Sequence, residues 1–200
     1  MLKIFFFLLF SCGINAQQLE SLKTLKAKHD SIETQLKLKH QEEIKGKSDS
    51  EISEIYYQNL LSRRKNNRER LDHYFSAVQT FLETQKMIGP SPKAAQQEIP
   101  DKTANYSQGF PALYKEVHDF IKNQYQDRLD EFFTKSAKIH FIVQNDHSLY
   151  IEKVEGTEKE FNDLALLAFL MTTGKWESAF QSGSNVKSKF VLPVKFVVEE

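Results

Sequence analysis

Apolar residues fall into distinct patterns along the chain. Ile4–Phe10 is an unbroken apolar run behind Lys3. From Gln17 to about Gly46 charged residues dominate, but Leu22, Leu25, His29, Ile32 and Leu36 recur at alternating spacings of three and four. That is the period of a coiled-coil stripe on one helix face. Gly46 breaks this helix, and Ser48-Asp49-Ser50-Glu51 offers a new N-cap with acids in the first turn. The spacing predicts a second helix from about Ser50 to Ile88, stopped by Gly89-Pro90, with the seam repeated at Leu71, Tyr74, Val78, Phe81, Gln85 and Ile88. A short break between two such helices favours an antiparallel hairpin. Neither helix buries an apolar face alone, so each needs the other or a second copy of the chain, a homodimer.

Residues 90–109 contain Pro90, Pro92 and Pro100 without any periodicity and read as a linker. A second unit begins at Phe110-Pro111, where proline suits a first helical turn. Leu113, Val117, Phe120, Ile121 and Tyr125 mark one face of that helix. Lys138–Val143 alternates as a strand, Gln144-Asn145-Asp146-His147-Ser148 is a turn in which Asn, Asp and His tolerate positive φ better than most residues, and Leu149–Val154 returns as a second strand. Glu158–Thr172 is a helix with Phe161, Leu164, Ala165, Ala168 and Phe169 inward. After the loop Gln181–Asn185, Lys189–Val198 closes the chain as a strand with Phe190, Leu192, Val194, Phe196 and Val198 on one face. The order helix–strand–strand–helix–strand implies an α+β domain over 110–200, two helices on a three-stranded antiparallel sheet, preceded by the helical hairpin over 17–89.

The first sixteen residues change the picture, because they read as an export signal: a positive start, the apolar run, and Ile14-Asn15-Ala16 resembling a cleavage site before Gln17. The expected location is therefore the periplasm. Cys12 is the only cysteine. Leu9-Phe10-Ser11-Cys12 resembles a lipobox, which makes Cys12 the candidate for acylation and for attachment to a membrane. Without that acyl group no membrane partner is expected.

Charge and chemistry narrow the function classes. Lys plus Arg and Asp plus Glu both number 27, so no overall field steers the molecule to nucleic acid. The run Arg63, Arg64, Lys65, Arg68 and Arg70 reads first as the wet face of a long helix opposite acids, with a patch for anionic lipid or a polyanion as the other reading. No nucleophile elbow, phosphate-binding glycine loop or zincin helix occurs. His29, His40, His73, His118, His140 and His147 show no paired ligand spacing. A non-enzymatic protein without metal or cofactor is expected, with an envelope structural or holdase-like protein acting through its hairpin as the alternative.

Phe110 to Phe196 resembles the C-terminal domain of TonB-like energy transducers. The likeness is carried by Gly109-Phe110-Pro111 with Tyr114 and Phe120-Ile121-Lys122-Asn123, the strand pair around Lys138–Val143 and Leu149-Tyr150-Ile151, Phe161-Asn162-Asp163-Leu164-Ala165-Leu166-Leu167, Gly174-Lys175-Trp176, and Lys187–Phe196 with its Leu192-Pro193-Val194 core. Departures are Tyr125-Gln126 where the family has Tyr-Pro, Glu177-Ser178 where it has x-Pro after Trp176, and His147 in place of a turn glycine. An inner-membrane helix followed by a Pro-rich tether is not evident, so the resemblance implies fold and binding mode rather than energy transduction. The implied mode is pairing of an edge strand with an extended segment of an outer-membrane transporter or another envelope protein. Lys189, Val191, Leu192, Pro193, Val194, Lys195 and Phe196 would form that edge, with Tyr125 and Trp176 as secondary contacts. Pro193 independently argues for an edge, having no N–H to donate to a ladder.

Overall fold

The computed structural model describes residues 2–87, 100–125 and 133–198. The architecture is mixed α+β and divides into two compact units, Gln17–Ala77 and Val78–Glu200, the second grouped with Met1–Ala16. The division falls inside a helix. The expected stop at Gly89-Pro90 and linker residues 90–99 lie outside the described residues.

Two helices, α1 (Leu2–Glu43) and α2 (Asp49–Met87), account for the first half. Among the described residues no helix is long and apolar enough to cross a membrane. Within Gln17–Ala77 they run antiparallel, as three cross-helix contacts show. Asn59 Nδ2 donates to the Leu36 carbonyl at 2.9 Å. Arg63 grips one oxygen of Glu33 with Nε at 2.7 Å and Nη2 at 2.6 Å. His29 Nδ1 meets Asn66 Oδ1 at 3.0 Å. The seam positions Leu22 and His29 are buried, and Leu25, Ile32 and Leu36 are half-buried. His29 is a polar member of this seam with both ring nitrogens engaged, since Nε2 also lies 3.1 Å from His73 Nδ1. An amide oxygen only accepts, so neutral His29 carries its proton on Nδ1 and accepts at Nε2.

At the start of α2 the Glu51 carboxylate reaches back to Ser48. Glu51 Oε2 accepts from the Ser48 backbone N–H at 3.0 Å and from its hydroxyl at 2.8 Å, and Gly46 at φ 70 makes the preceding turn. These bonds, with Lys47 alongside, hold the Glu51 carboxyl down from 4.5 to about 2.

The second unit is built on the strand order β3-β2-β7, all antiparallel, from β2 (Phe133–Val143), β3 (Leu149–Gly156) and β7 (Ser188–Val198). β1 (Asn105–Tyr106) and α3 (Phe110–Gln124) precede these strands in the chain, and α4 (Lys159–Leu170), β4 (Trp176–Glu177), β5 (Ala179–Gln181) and β6 (Ser184–Val186) lie between β3 and β7. Ile139 faces Leu192, and Phe141 faces Phe190 and Ile151, so one sheet face is a continuous apolar surface. Helix α3 lies along β7, its start near Phe190 and its end near Phe196: Phe110 and Phe190 rings are 6.1 Å apart, and Tyr125 stacks on Phe196 at 5.4 Å. Helix α4 covers β2, with Phe169 against Phe141 at 4.7 Å. Its buried residues include Leu166, Leu167 and Leu170 beyond the single face expected. The last turns of α2 belong to this unit, where Val78 and Phe81 are buried.

The expected linker is shorter than 90–109, because its end is structural. Tyr106, fully buried, pairs through β1 with Trp176 of β4. The Tyr106 hydroxyl donates to Glu116 at 2.9 Å and accepts from Gly174 N–H at 2.6 Å. A Cβ on Gly174 would lie 2.3 Å from the Tyr106 ring, so only glycine fits there. Polar composition hid this element, since two residues carry no periodicity.

Two outcomes follow. Glu51 has a depressed folded value, so its contribution is complete above 4.5 and lost as pH falls towards about 2. Glu51→Gln should remove that portion of the acid sensitivity of helicity, followed by circular dichroism. Gly174→Ala should lower stability by about 2 kcal/mol through overpacking against Tyr106, measured by denaturant unfolding.

Candidate functional site: the β7 border of the sheet

A three-stranded sheet has two borders, and here they are treated differently. On β3 the side chain of Gln85, buried at the end of α2, acts as a short substitute strand. Its Nε2 donates to the Leu149 carbonyl at 3.0 Å, and its Oε1 accepts from Ile151 N–H at 3.1 Å. The outward carbonyl of Leu149 and the N–H of Ile151, at the start of β3, are thereby satisfied. On β7 no strand among the described residues pairs on the side away from β2.

Side chains on β7 alternate cleanly. Leu192, Val194 and Phe196 are 3%, 5% and 3% exposed and point into the core beneath α3 and α4. Lys189, Val191, Pro193 and Lys195 are exposed on the opposite face. The ladder to β2 passes through Lys138↔Pro193 without a register shift. A residue lacking N–H permits this where its nitrogen faces away from the partner strand. In an antiparallel pair main-chain direction alternates with the side chain, so Lys189, Val191, Pro193, Lys195 and Val197 turn their main-chain groups outward. An incoming strand meets N–H and C=O at Val191 and Lys195 and a carbonyl alone at Pro193. One missing bond of about 0.5–1.5 kcal/mol weakens such pairing locally. Leu192, Val194 and Phe196 hold the edge in place from below rather than present side chains to a partner.

The open face beside this edge is charged. Lys189 pairs with Glu152 at 2.7 Å, and His140 Nε2 lies 2.9 Å from Glu155. Hydrogen bonding from Lys153, then from His140, holds Glu155 below the usual carboxylate range.

Tyr125 and Trp176 are not secondary contacts, a correction with a packing cause. Trp176, 7% exposed, sits among Phe141 at 5.1 Å, Tyr106 at 5.5 Å and Phe190 at 5.7 Å. Tyr125 is 6% exposed at the end of α3. Large aromatics fill the gap between helices and sheet. Cys12 lies in α1, within residues whose side chains are not described.

One cluster escaped sequence reasoning. Ser178 and His147, 31 residues apart, meet at 2.9 Å. The Ser178 hydroxyl donates to the Gln144 carbonyl at 2.6 Å, and Ser178 N–H donates to His147 Nδ1 at 2.9 Å. With the hydroxyl proton and the imidazole lone pair both engaged, the pair pins the 144–148 turn, where His147 takes φ 69. The signal available was the non-glycine at a turn position that needs positive φ. Among the described residues no group of three or more His, Cys, Asp and Glu gathers to hold a metal.

Removing the Gln85 amide leaves two main-chain groups unpaired on β3. Gln85→Met should cost about 1–3 kcal/mol, read from chemical unfolding, and should speed amide exchange at Ile151.

No family model, curated protein or solved structure matches this chain.

Proposed function

We infer that this chain is a non-enzymatic envelope interaction protein of the TonB C-terminal type, binding an extended segment of an outer-membrane transporter, or of another envelope protein, as a strand added to β7. The observation that carries this reading is that β7 borders the sheet with its outward main chain covered by no strand among the described residues, whereas Gln85 engages the start of the other border, β3. Strand addition draws affinity from such groups and specificity from alternate side chains. Exposed Lys189, Val191 and Lys195 would supply the side-chain selection, favouring a segment with acidic and small apolar residues. The α+β order, with α3 and α4 over three antiparallel strands, accords with the resemblance in Phe110–Phe196. The export-like start supports a periplasmic setting for this activity, or a membrane surface where Cys12 is acylated.

A second reading, a structural or holdase-like protein acting through its hairpin, draws on the exposure of Leu38, Tyr56 and Tyr57. Loss of aggregation suppression in Leu38→Ser, with peptide binding unchanged, favours that reading.

The direct test uses Val191→Pro. It removes an outward N–H while leaving the bonds to β2 intact, so the domain should remain folded with an unchanged near-UV spectrum. Binding of extended transporter-derived peptides, measured by calorimetry, should weaken about tenfold, the equivalent of about 1.4 kcal/mol. Equal affinity in Val191→Pro and the parent chain removes strand addition on β7.

A further inference from the structure

The outward face of α2 carries a second seam that the hairpin does not use. Glu54, Tyr57, Leu61, Arg64 and Arg68 recur at spacings of three, four, three and four, which at about 100° per residue places them on one stripe. That stripe lies diametrically opposite Asn59, Arg63 and Asn66, the residues that face α1. All five are exposed, Tyr57 at 54% and Leu61 at 40%. Among the described residues Arg64, Arg68 and Glu54 form no ion pair; the Glu54 carboxylate accepts only from Gln58, at 2.8 Å. An apolar pair is thus flanked by an acid on its N-terminal side and bases on its C-terminal side.

We propose that this stripe is a self-association surface that takes the same stripe of a second copy, antiparallel about a two-fold axis that passes between Tyr57 and Leu61. In that register Tyr57 of each copy packs on Leu61 of the other, and Glu54 of each pairs with Arg64 of the other. A charge order that reverses along the stripe is self-complementary only in the antiparallel sense, because a parallel copy sets Glu54 against Glu54 and Arg64 against Arg64. Antiparallel seams also place the two heptad positions in shared layers, here Tyr57 with Leu61. This complementarity favours a second copy over an anionic surface, which would use Arg64 and Arg68 but leave Glu54 facing negative charge. It uses no group of the β7 edge and goes beyond the peptide-binding reading.

Sedimentation equilibrium of the full chain in reducing buffer tests this. The parent chain should dimerise, more weakly as salt rises. Glu54→Lys and Arg64→Glu each replace two attractive contacts by two repulsive ones and should weaken self-association about tenfold or more. An equimolar mixture of the two variants should dimerise within about threefold of the parent chain, since each then offers the other the missing charge. That restoration distinguishes pairing from a folding defect. A parent chain that stays monomeric, variants that associate as the parent does, or a mixture that fails to recover overturns the proposal. Binding to phosphatidylglycerol vesicles that is lost in Arg64→Glu, with no dimer in any chain, likewise overturns it.

Discussion

Main-chain groups at a sheet border must find partners, and that requirement organises the C-terminal unit. Strand β2 is satisfied on both sides, by β3 and by the long ladder to β7. The two outer strands each leave a row of donors and acceptors. At the start of β3 one amide side chain, Gln85, meets part of that need, its nitrogen and oxygen reproducing the bonding of one strand residue at Leu149 and Ile151. At β7 the protein relies on solvent, two lysines and a proline, the devices that discourage accidental pairing without abolishing it.

The edge can stay open because the core behind it is held elsewhere. Phe141, near the C-terminal end of β2, contacts Phe169, Trp176 and Phe190, so helix, loop and edge strand converge on one ring. Helix α3 lies over β7 and fixes it from one face through Phe190 and Phe196. The Tyr106–Gly174 contact and the Ser178–Gln144 bond tie down the segments on either side of Trp176. Rigidity of β7 thus comes from side chains on its buried face, and no strand among the described residues covers its outward main chain.

The helical unit follows a different economy of contacts. Its inner seam mixes leucine and isoleucine with His29 and Asn66, and such polar members specify register at some cost in stability. The Arg63–Glu33 bridge belongs to this same inner face. The basic run is therefore split: Arg63 serves the hairpin, while Arg64 and Arg68 turn outward beside Tyr57 and Leu61. Neither a uniformly wet face nor a uniform cationic patch describes it.

Much of the architecture was legible in the residues. Spacings of three and four gave both hairpin helices, and Leu113, Val117 and Ile121 gave α3; alternation through Leu192, Val194 and Phe196 gave the last strand and its buried side. Pro193 and His147 announced an edge and a left-handed turn, because each restricts the backbone whatever surrounds it. What only the tertiary structure decided is which polar groups meet: Gln85 with Leu149 and Ile151, Tyr106 with Glu116 and Gly174, Ser178 with His147. Periodicity reports which face of an element is dry, a property of that element alone. It carries no information about which distant element covers that face, so a glutamine in an apolar seam, a tyrosine in a proline-rich stretch and a serine after a tryptophan look alike until the chain has folded.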